Sequence, residues 1–309
     1  MNFLQALHPD LVKVFDDVTP SPSIETLVKN RQLVHYSELS LPTSVQVEEQ
    51  FIKTPHNDAL RLVIMRPVVK HSKRCFIFYH GGGMVLGCPD ASLPFLTDVV
   101  LETGCSVILP QYRLAPEHPF PAAMHDCYDT LCWAYEQAGK IDIDEKLIAI
   151  GGASAGGGLC AAVSLYTRDH GGPPILFQSP LYPMLDYRND SPSSHAITSP
   201  FVWNREKNVA SWAYYLNGME PVSSYASSLL ATDFHQLPPT YTYVGTLDLF
   251  RDETLSYVTH LTAANVPVEF HLYAGCYHGF DLEQSVPVSK RAKQQWLGAL
   301  SAFFEQYGA

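Results

Sequence analysis

The feature that most constrains this chain is the run Ile148-Ala149-Ile150-Gly151-Gly152-Ala153-Ser154-Ala155-Gly156-Gly157-Gly158. An apolar, β-prone segment stops at glycines, and one serine stands in the turn. A helical pattern of Leu159, Ala161, Ala162, Val163 and Leu165 follows. Gly152 to Gly156 fits G-x-S-x-G, a sharp strand-to-helix turn that lifts a serine hydroxyl above a sheet. Small residues on either side let the backbone crowd without clash. Ser154 is therefore a candidate nucleophile for acyl transfer, and the rest of the chain must supply its partners.

Around this turn, buried strands alternate with helices. A polar-faced hairpin is expected first, Val45 to Ile52 and Leu60 to Pro67, at a sheet edge. Apolar runs then predict strands at Cys75–Tyr79, Ser106–Leu109, Leu147–Ile150, Ile175–Gln178, Tyr241–Val244 and Val268–Leu272. Helices are expected at Ser92–Glu102, Pro121–Ala138, from Ser154 to Arg168, at Arg251–Ala264 and at Val288–Tyr307. This order predicts an α/β fold with a mainly parallel sheet covered on both faces. Ligands of such sheets bind beyond the carboxyl ends of the strands. Two stretches break the alternation. Residues 1 to 44 carry short helical spacings (Leu4, Leu7, Leu11, then Ile24, Leu27, Val28, Arg31) punctuated by prolines. Residues 182 to 237 are aromatic and polar, with one helix expected over Asn204–Leu216.

Three further sites fall just after predicted strands. His80-Gly81-Gly82-Gly83 follows Cys75–Tyr79 and offers main-chain N–H groups at close range to an oxyanion, with the N–H of Ala155 on the other side. Gly245-Thr246-Leu247-Asp248 follows Tyr241–Val244. Asp248 could accept a histidine Nδ1–H and fix its tautomer. Asp252 and Glu253 are rivals for that role, but they fall in the first turn of the next helix, where the dipole favours acids in any case. Ala274 to Phe280 holds His278, expected in a loop before the last helix and able to take a proton from Ser154. His271 competes, but lies within a predicted strand.

The order Ser154, Asp248, His278 is that of α/β-hydrolases. The blocks His80–Gly83, Gly152–Gly157, Asp248–Glu253 and Tyr277–Phe280, with the segment Tyr112–Ala123 and the run Tyr182–Asp186, resemble the hormone-sensitive-lipase-like esterases of that fold. The resemblance implies an eight-stranded sheet with a catalytic body of 45–181 plus 238–309 and a helical cap of 1–44 plus 182–237. It implies hydrolysis of short- to medium-chain acyl esters with no cofactor. Ser154, Asp248 and His278 would be the triad. Gly82, Gly83 and Ala155 would hold the oxyanion, and His80 would hold the loop. The charged residues of Tyr112–Ala123 are expected to be structural. Three residues depart from the usual pattern: Ala153 replaces a common acid, Leu249 a common proline, and Met84 a frequent aromatic that would shape the acyl pocket. Trp203, Trp212, Tyr214 and Tyr215 are candidates for the substrate pocket or for packing within the cap. The triad does not separate esters from amides, lactones or acetylated metabolites. A non-catalytic small-molecule receptor is the reading from another class, disfavoured by the intact triad.

Composition narrows the partners. A chain of 309 residues, 46% hydrophobic and 17% charged, suits one large domain with an inserted cap. A formal net charge of −11 argues against nucleic acid and anionic membranes. The seven cysteines are scattered without a C-x-x-C pair, as expected of buried, reduced thiols. No histidines show H-E-x-x-H spacing, so zinc hydrolysis has little support. The first ten residues lack a basic n-region and a long apolar run, so a cytoplasmic location without stable membrane insertion is expected. Self-association into a homo-oligomer stays open.

Overall fold

The computed structural model describes residues 3–15, 19–69 and 72–308. Residues 1, 2 and 16–18 of the expected cap segment lie outside the described residues.

Eight strands form one sheet: β1 (Val45–Ile52), β2 (Leu60–Pro67), β3 (Cys75–Tyr79), β4 (Ser106–Pro110), β5 (Ile148–Ala153), β6 (Gln178–Leu181), β7 (Thr240–Leu247) and β8 (Val268–Tyr277). Their order is β1-β2-β4-β3-β5-β6-β7-β8. The β1–β2 and β2–β4 pairs are antiparallel and the rest parallel. The expected hairpin is present, with β1 at the edge. β2 lies inside and is largely buried, unlike the polar-faced strand expected.

Among the described residues ten α-helices accompany the sheet: α1 (Phe3–Ala6), α2 (Pro9–Val12), α3 (Ile24–Lys29), α4 (Leu93–Thr103), α5 (Ala122–Glu136), α6 (Ala155–His170), α7 (Pro192–Ala196), α8 (Arg205–Leu216), α9 (Arg251–Ala263) and α10 (Pro287–Tyr307). The period of two along a strand divides the core. Ile77, Ile108 and Ile150 face Met124, Leu131, Leu159 and Val163 of α5 and α6. Phe76, Phe78, Val107 and Ala149 face Leu96, Val100, Trp296 and Phe303 of α4 and α10. Gly104 and Gly171, both left-handed, end α4 and α6.

β6 and β8 depart furthest from their expected bounds. β6 begins where the expected Ile175–Gln178 strand ends. Leu176 and Phe177 still bond to the β5 backbone (Leu176 N–H to Ile148 O, 2.8 Å), but the ladder proper runs through Pro180. Proline has no N–H to give, so the paired register between β6 and β7 is confined to Gln178 and Thr240, while the Thr242 hydroxyl bonds to Pro180 O. β8 runs five residues past its expected end at Leu272, so Ala274 to Tyr277 are strand rather than loop. β7 extends to Leu247 alongside it, and an irregularity near Gly245 absorbs the mismatch. Left-handed Gly275 donates to Thr246 Oγ1 at 2.8 Å there.

The N-terminal segment and the 182–237 stretch meet above the carboxyl ends of the strands. α3 packs against α8, and the Ser21 N–H donates to Pro200 O at 3.1 Å. The early part also grips the body. The His8 N–H bonds to Gly275 O, and Asp10 accepts from the Val288 N–H at the start of α10. Leu7, Leu11 and Ile24 are buried, whereas Leu4 of the same expected stripe is half-exposed. Among the described residues no helix is long and apolar enough to cross a membrane.

Trp296 of α10 centres the second half of the core. It is fully buried, stacks on Phe95 at 5.2 Å and donates its indole N–H to Ser179 Oγ at 2.9 Å. Trp296→Ala should lower unfolding stability by about 4 kcal/mol, read from urea denaturation, because the cavity cannot close against a rigid sheet. A loss below about 1 kcal/mol would show that α10 is not held by this residue.

Candidate active site

Ser154 sits between β5 and α6 with φ 59° and ψ −119°, a conformation that costs a residue with a Cβ of order 1 kcal/mol or more. Its neighbours explain why the turn persists. A Cβ on Gly152 would strike the carbonyls of Gly156 and Tyr79, and one on Gly156 would land on the Tyr79 carbonyl. The glycines of G-x-S-x-G therefore let three backbones touch: the end of β3, the end of β5 and the first turn of α6. The Ser154 N–H donates to Leu181 O at 2.9 Å, and the Ser154 carbonyl accepts from Gly158 and Met184, each at 3.0 Å. The turn is thus tied at both its ends.

The loops after β7 and β8 bring the other two residues. The Ser154 hydroxyl donates to His278 Nε2 at 2.9 Å, and the His278 Nδ1–H donates to Asp248 Oδ2 at 2.8 Å. Asp248 is fully buried, and its Oδ1 accepts the Phe250 N–H at 2.9 Å. The rings of Tyr182 and Phe250 meet the imidazole edge-to-face at 4.9 and 5.0 Å. The imidazole is thus oriented by one acid and two rings, with Nε2 free to receive the serine proton.

The rival residues are occupied elsewhere. Glu253 is buried and accepts the Leu185 and Asp186 N–H groups at 2.8 and 2.9 Å, and burial drives its carboxyl well above the usual range. Asp252 accepts the Ser193 N–H at 2.7 Å and pairs with Arg251. His271 lies along β8 against Glu269.

His80 begins the glycine loop. Its Nδ1–H donates to Gly81 O at 2.7 Å, and its ring stacks on Tyr112 at 4.1 Å. The Tyr112 hydroxyl donates to His80 O at 2.8 Å. Gly82 and Gly83 have φ of +122° and +63°. Among the described residues, neither their N–H groups nor that of Ala155 has an acceptor, and all three belong to the loops flanking Ser154. Such unspent donors beside a nucleophile can bind a developing oxyanion.

A cavity of about 370 Å³ opens at Ser154 and His278, walled by Phe78, Phe95, Ala153, Tyr182, Trp203 and Leu282. None of its described lining residues is Asp, Glu, Lys or Arg. Trp203 is the one of the four aromatic candidates that lines it. It lies against Gly83, where a Cβ would meet its ring, and its indole N–H donates to Asn208 Oδ1 at 3.2 Å. Trp212 and Tyr215 are buried in the core, and Tyr214 packs against that core from its edge. Met84 does not shape this cavity as expected. It is buried, its methyl near Gly158 of α6, and its backbone is left-handed (φ 65°). In the Tyr112–Ala123 segment the two charges serve separate partners: Arg113 grips Asp126, and Glu117 pairs with Arg31.

One member of the site escaped the motifs. Asp281 is fully buried and accepts the hydroxyls of Tyr182 and Tyr243 at 3.1 and 2.8 Å, and burial raises its carboxyl above the usual range. It ties the His278 loop to Tyr182, just after β6, and to Tyr243, in the middle of β7. Its one signal in the sequence is an acid inside the apolar run Phe280-Asp281-Leu282.

A family model described as alpha/beta hydrolase fold matches residues 76–282. Carboxylesterase NlhH of Mycobacterium tuberculosis is 33% identical over 242 residues, covering 76% of this chain and 75% of that protein. Esterase LipI of the same organism is 32% identical over 304 residues, covering 96% and 94%. Among solved structures, a bacterial heroin esterase superposes with a TM-score of 0.90 at 31% identity, covering 97% of this chain and 99% of that one.

Burial pushes the His80 imidazole down to about 4, so it is neutral in the folded protein at neutral pH. An unfolded histidine titrates near 6.5. The folded state is therefore penalised as pH falls from about 6.5 to about 4, by about 3 kcal/mol in all. His80→Asn, whose amide can still donate to Gly81 O, should show a shallower loss of urea stability over that window than the wild type. Identical pH profiles would contradict a buried neutral His80.

Proposed function

The chain belongs to the α/β-hydrolase fold family, in its hormone-sensitive-lipase-like branch, and is a serine carboxylic-ester hydrolase; on that premise we propose that Ser154, His278 and Asp248 are its catalytic triad. The observation that carries this reading is the continuous hydrogen-bond chain from Asp248 through His278 to Ser154 at the carboxyl end of the sheet.

In this mechanism His278 takes the Ser154 proton as the hydroxyl oxygen attacks the ester carbonyl. Asp248 stabilises the imidazolium that forms and remains ionised. The Gly82, Gly83 and Ala155 amides receive the oxyanion, each such donor contributing about 3 kcal/mol to transition-state stabilisation. His278 then protonates the leaving alcohol. The acyl-enzyme is hydrolysed by the reverse sequence, with water in place of the serine. His80 stays neutral and holds the loop.

The substrate is proposed to be a neutral ester of short to medium acyl length. The uncharged, aromatic walls of the 370 Å³ cavity support this. Residues 45–181 and 238–309 would form the catalytic body, with 1–44 and 182–237 as the cap that selects the ester. A cytoplasmic location and the absence of nucleic-acid partners are part of the same proposal, the latter supported by the net charge of −11. Self-association is compatible with it.

Ser154→Ala should fold as the wild type and lose hydrolysis of a short p-nitrophenyl ester by about a million-fold, to background. Retained turnover would remove Ser154 from the mechanism. On a panel graded in acyl length, with one amide and one lactone, kcat/KM should be highest for the short and medium esters. A preference for the amide or the lactone would redirect the substrate assignment while leaving the triad in place.

A further inference from the structure

We propose that Arg31, in the N-terminal segment, is a positioning residue that fixes the oxyanion loop. The inference rests on the reading of Gly82 and Gly83 as oxyanion donors.

The turn carrying those donors is strained. Gly82, Gly83 and Met84 follow one another with φ of +122°, +63° and +65°. The last is unfavourable for a residue with a Cβ and persists only where the surroundings over-determine it. Within the turn, the Val85 and Leu86 N–H groups close on Gly82 O at 3.1 and 2.8 Å. From outside, the Ala115 N–H holds Met84 O at 3.0 Å. Arg31 completes the grip. Its Nε–H donates to Val85 O at 2.7 Å, and a second guanidinium nitrogen donates to Ala115 O. A third nitrogen reaches Glu117 at 2.7 Å. One planar fork thus joins the turn to the segment that steadies it. A guanidinium makes such a bridge with fixed geometry and charge-assisted bonds.

The three partners are not equal. The Arg31 side chain is 19% exposed and the Glu117 side chain 57%. The two carbonyl bonds are therefore sheltered, while the ion pair lies in solvent, where it is worth little. Arg31 touches no substrate. Its effect would pass through the orientation of the Gly82 and Gly83 amides. On the opposite flank Trp203, from the 182–237 stretch, lies against Gly83. Both stretches outside the sheet therefore touch the loop that would receive the oxyanion, and Trp203 also lines the cavity.

The test is steady-state ester hydrolysis by Arg31→Lys, Arg31→Ala and Glu117→Gln, with Ser154→Ala assayed beside them and thermal unfolding measured for each. Arg31→Lys keeps the charge and the stem but cannot bridge both carbonyls. Both Arg31 variants should lose about tenfold or more in kcat, with KM within about twofold and acyl-length preference unchanged. Millimolar methylguanidinium should restore part of the kcat of Arg31→Ala. Glu117→Gln should match the wild type. If Arg31→Ala does not fold, Arg31→Lys carries the test. A folded Arg31→Lys with wild-type kcat, or a loss confined to KM or to melting temperature, overturns the inference. Residual hydrolysis in Ser154→Ala would overturn the serine reading instead, so the two failures are distinguishable.

Discussion

The site depends on how closely three backbones approach at one point. The end of β3, the end of β5 and the first turn of α6 touch where Gly152 and Gly156 leave no room for a Cβ against Tyr79. That contact forces the chain through the left-handed Ser154 and directs its hydroxyl out of the sheet. It also fixes where the glycine loop begins, since His80 follows Tyr79 directly. Ser154 and the glycine loop proposed to receive the oxyanion are thus placed by one packing constraint. Removing either glycine's freedom would disturb both.

The sheet supplies the remaining geometry. Asp248 and His278 leave the ends of β7 and β8, beside the strand that ends at Ser154 and its neighbour β6. The extra length of β8 carries His278 up to the serine. The nearby acids share out the work. Asp248 accepts from His278, while Glu253 and Asp252 bond to the backbone of the 182–237 stretch at Leu185, Asp186 and Ser193. Their place in the first turn of α9 is thus explained by that stretch, which they anchor, more than by the helix dipole. Asp281, beneath Tyr182 and Tyr243, closes the arrangement from below.

Much of this was legible in the sequence because it is local. Continuous apolar runs identify the central strands, and glycines mark turns whose geometry excludes side chains. The order of serine, acid and histidine then follows the strand ends. What was not legible depends on pairing between distant segments. β8 outruns its apolar run because β7 lies alongside it, and β6 is displaced because Pro180 opens its ladder to β7. Met84 shows the same limit. Its side chain is buried on a left-handed backbone, which no composition argument reveals. Tyr182 and Phe250 fall within recognisable blocks, but their contact with His278, and the bonds of Asp281 to Tyr182 and Tyr243, appear only once the fold brings them together. Residues 1–44 and 182–237 carry no catalytic motif, yet they supply Arg31, bonded to Val85 O, and Trp203, against Gly83.

A serine nucleophile activated by His278 can be trapped covalently. The most direct measurement is intact-mass and peptide analysis after treatment with a fluorophosphonate, which reacts only with an activated serine. One adduct per chain is expected, on the peptide containing Ser154, formed far more slowly in His278→Ala. Absence of an adduct on the folded protein, or an adduct on another residue with Ser154 unmodified, would contradict it.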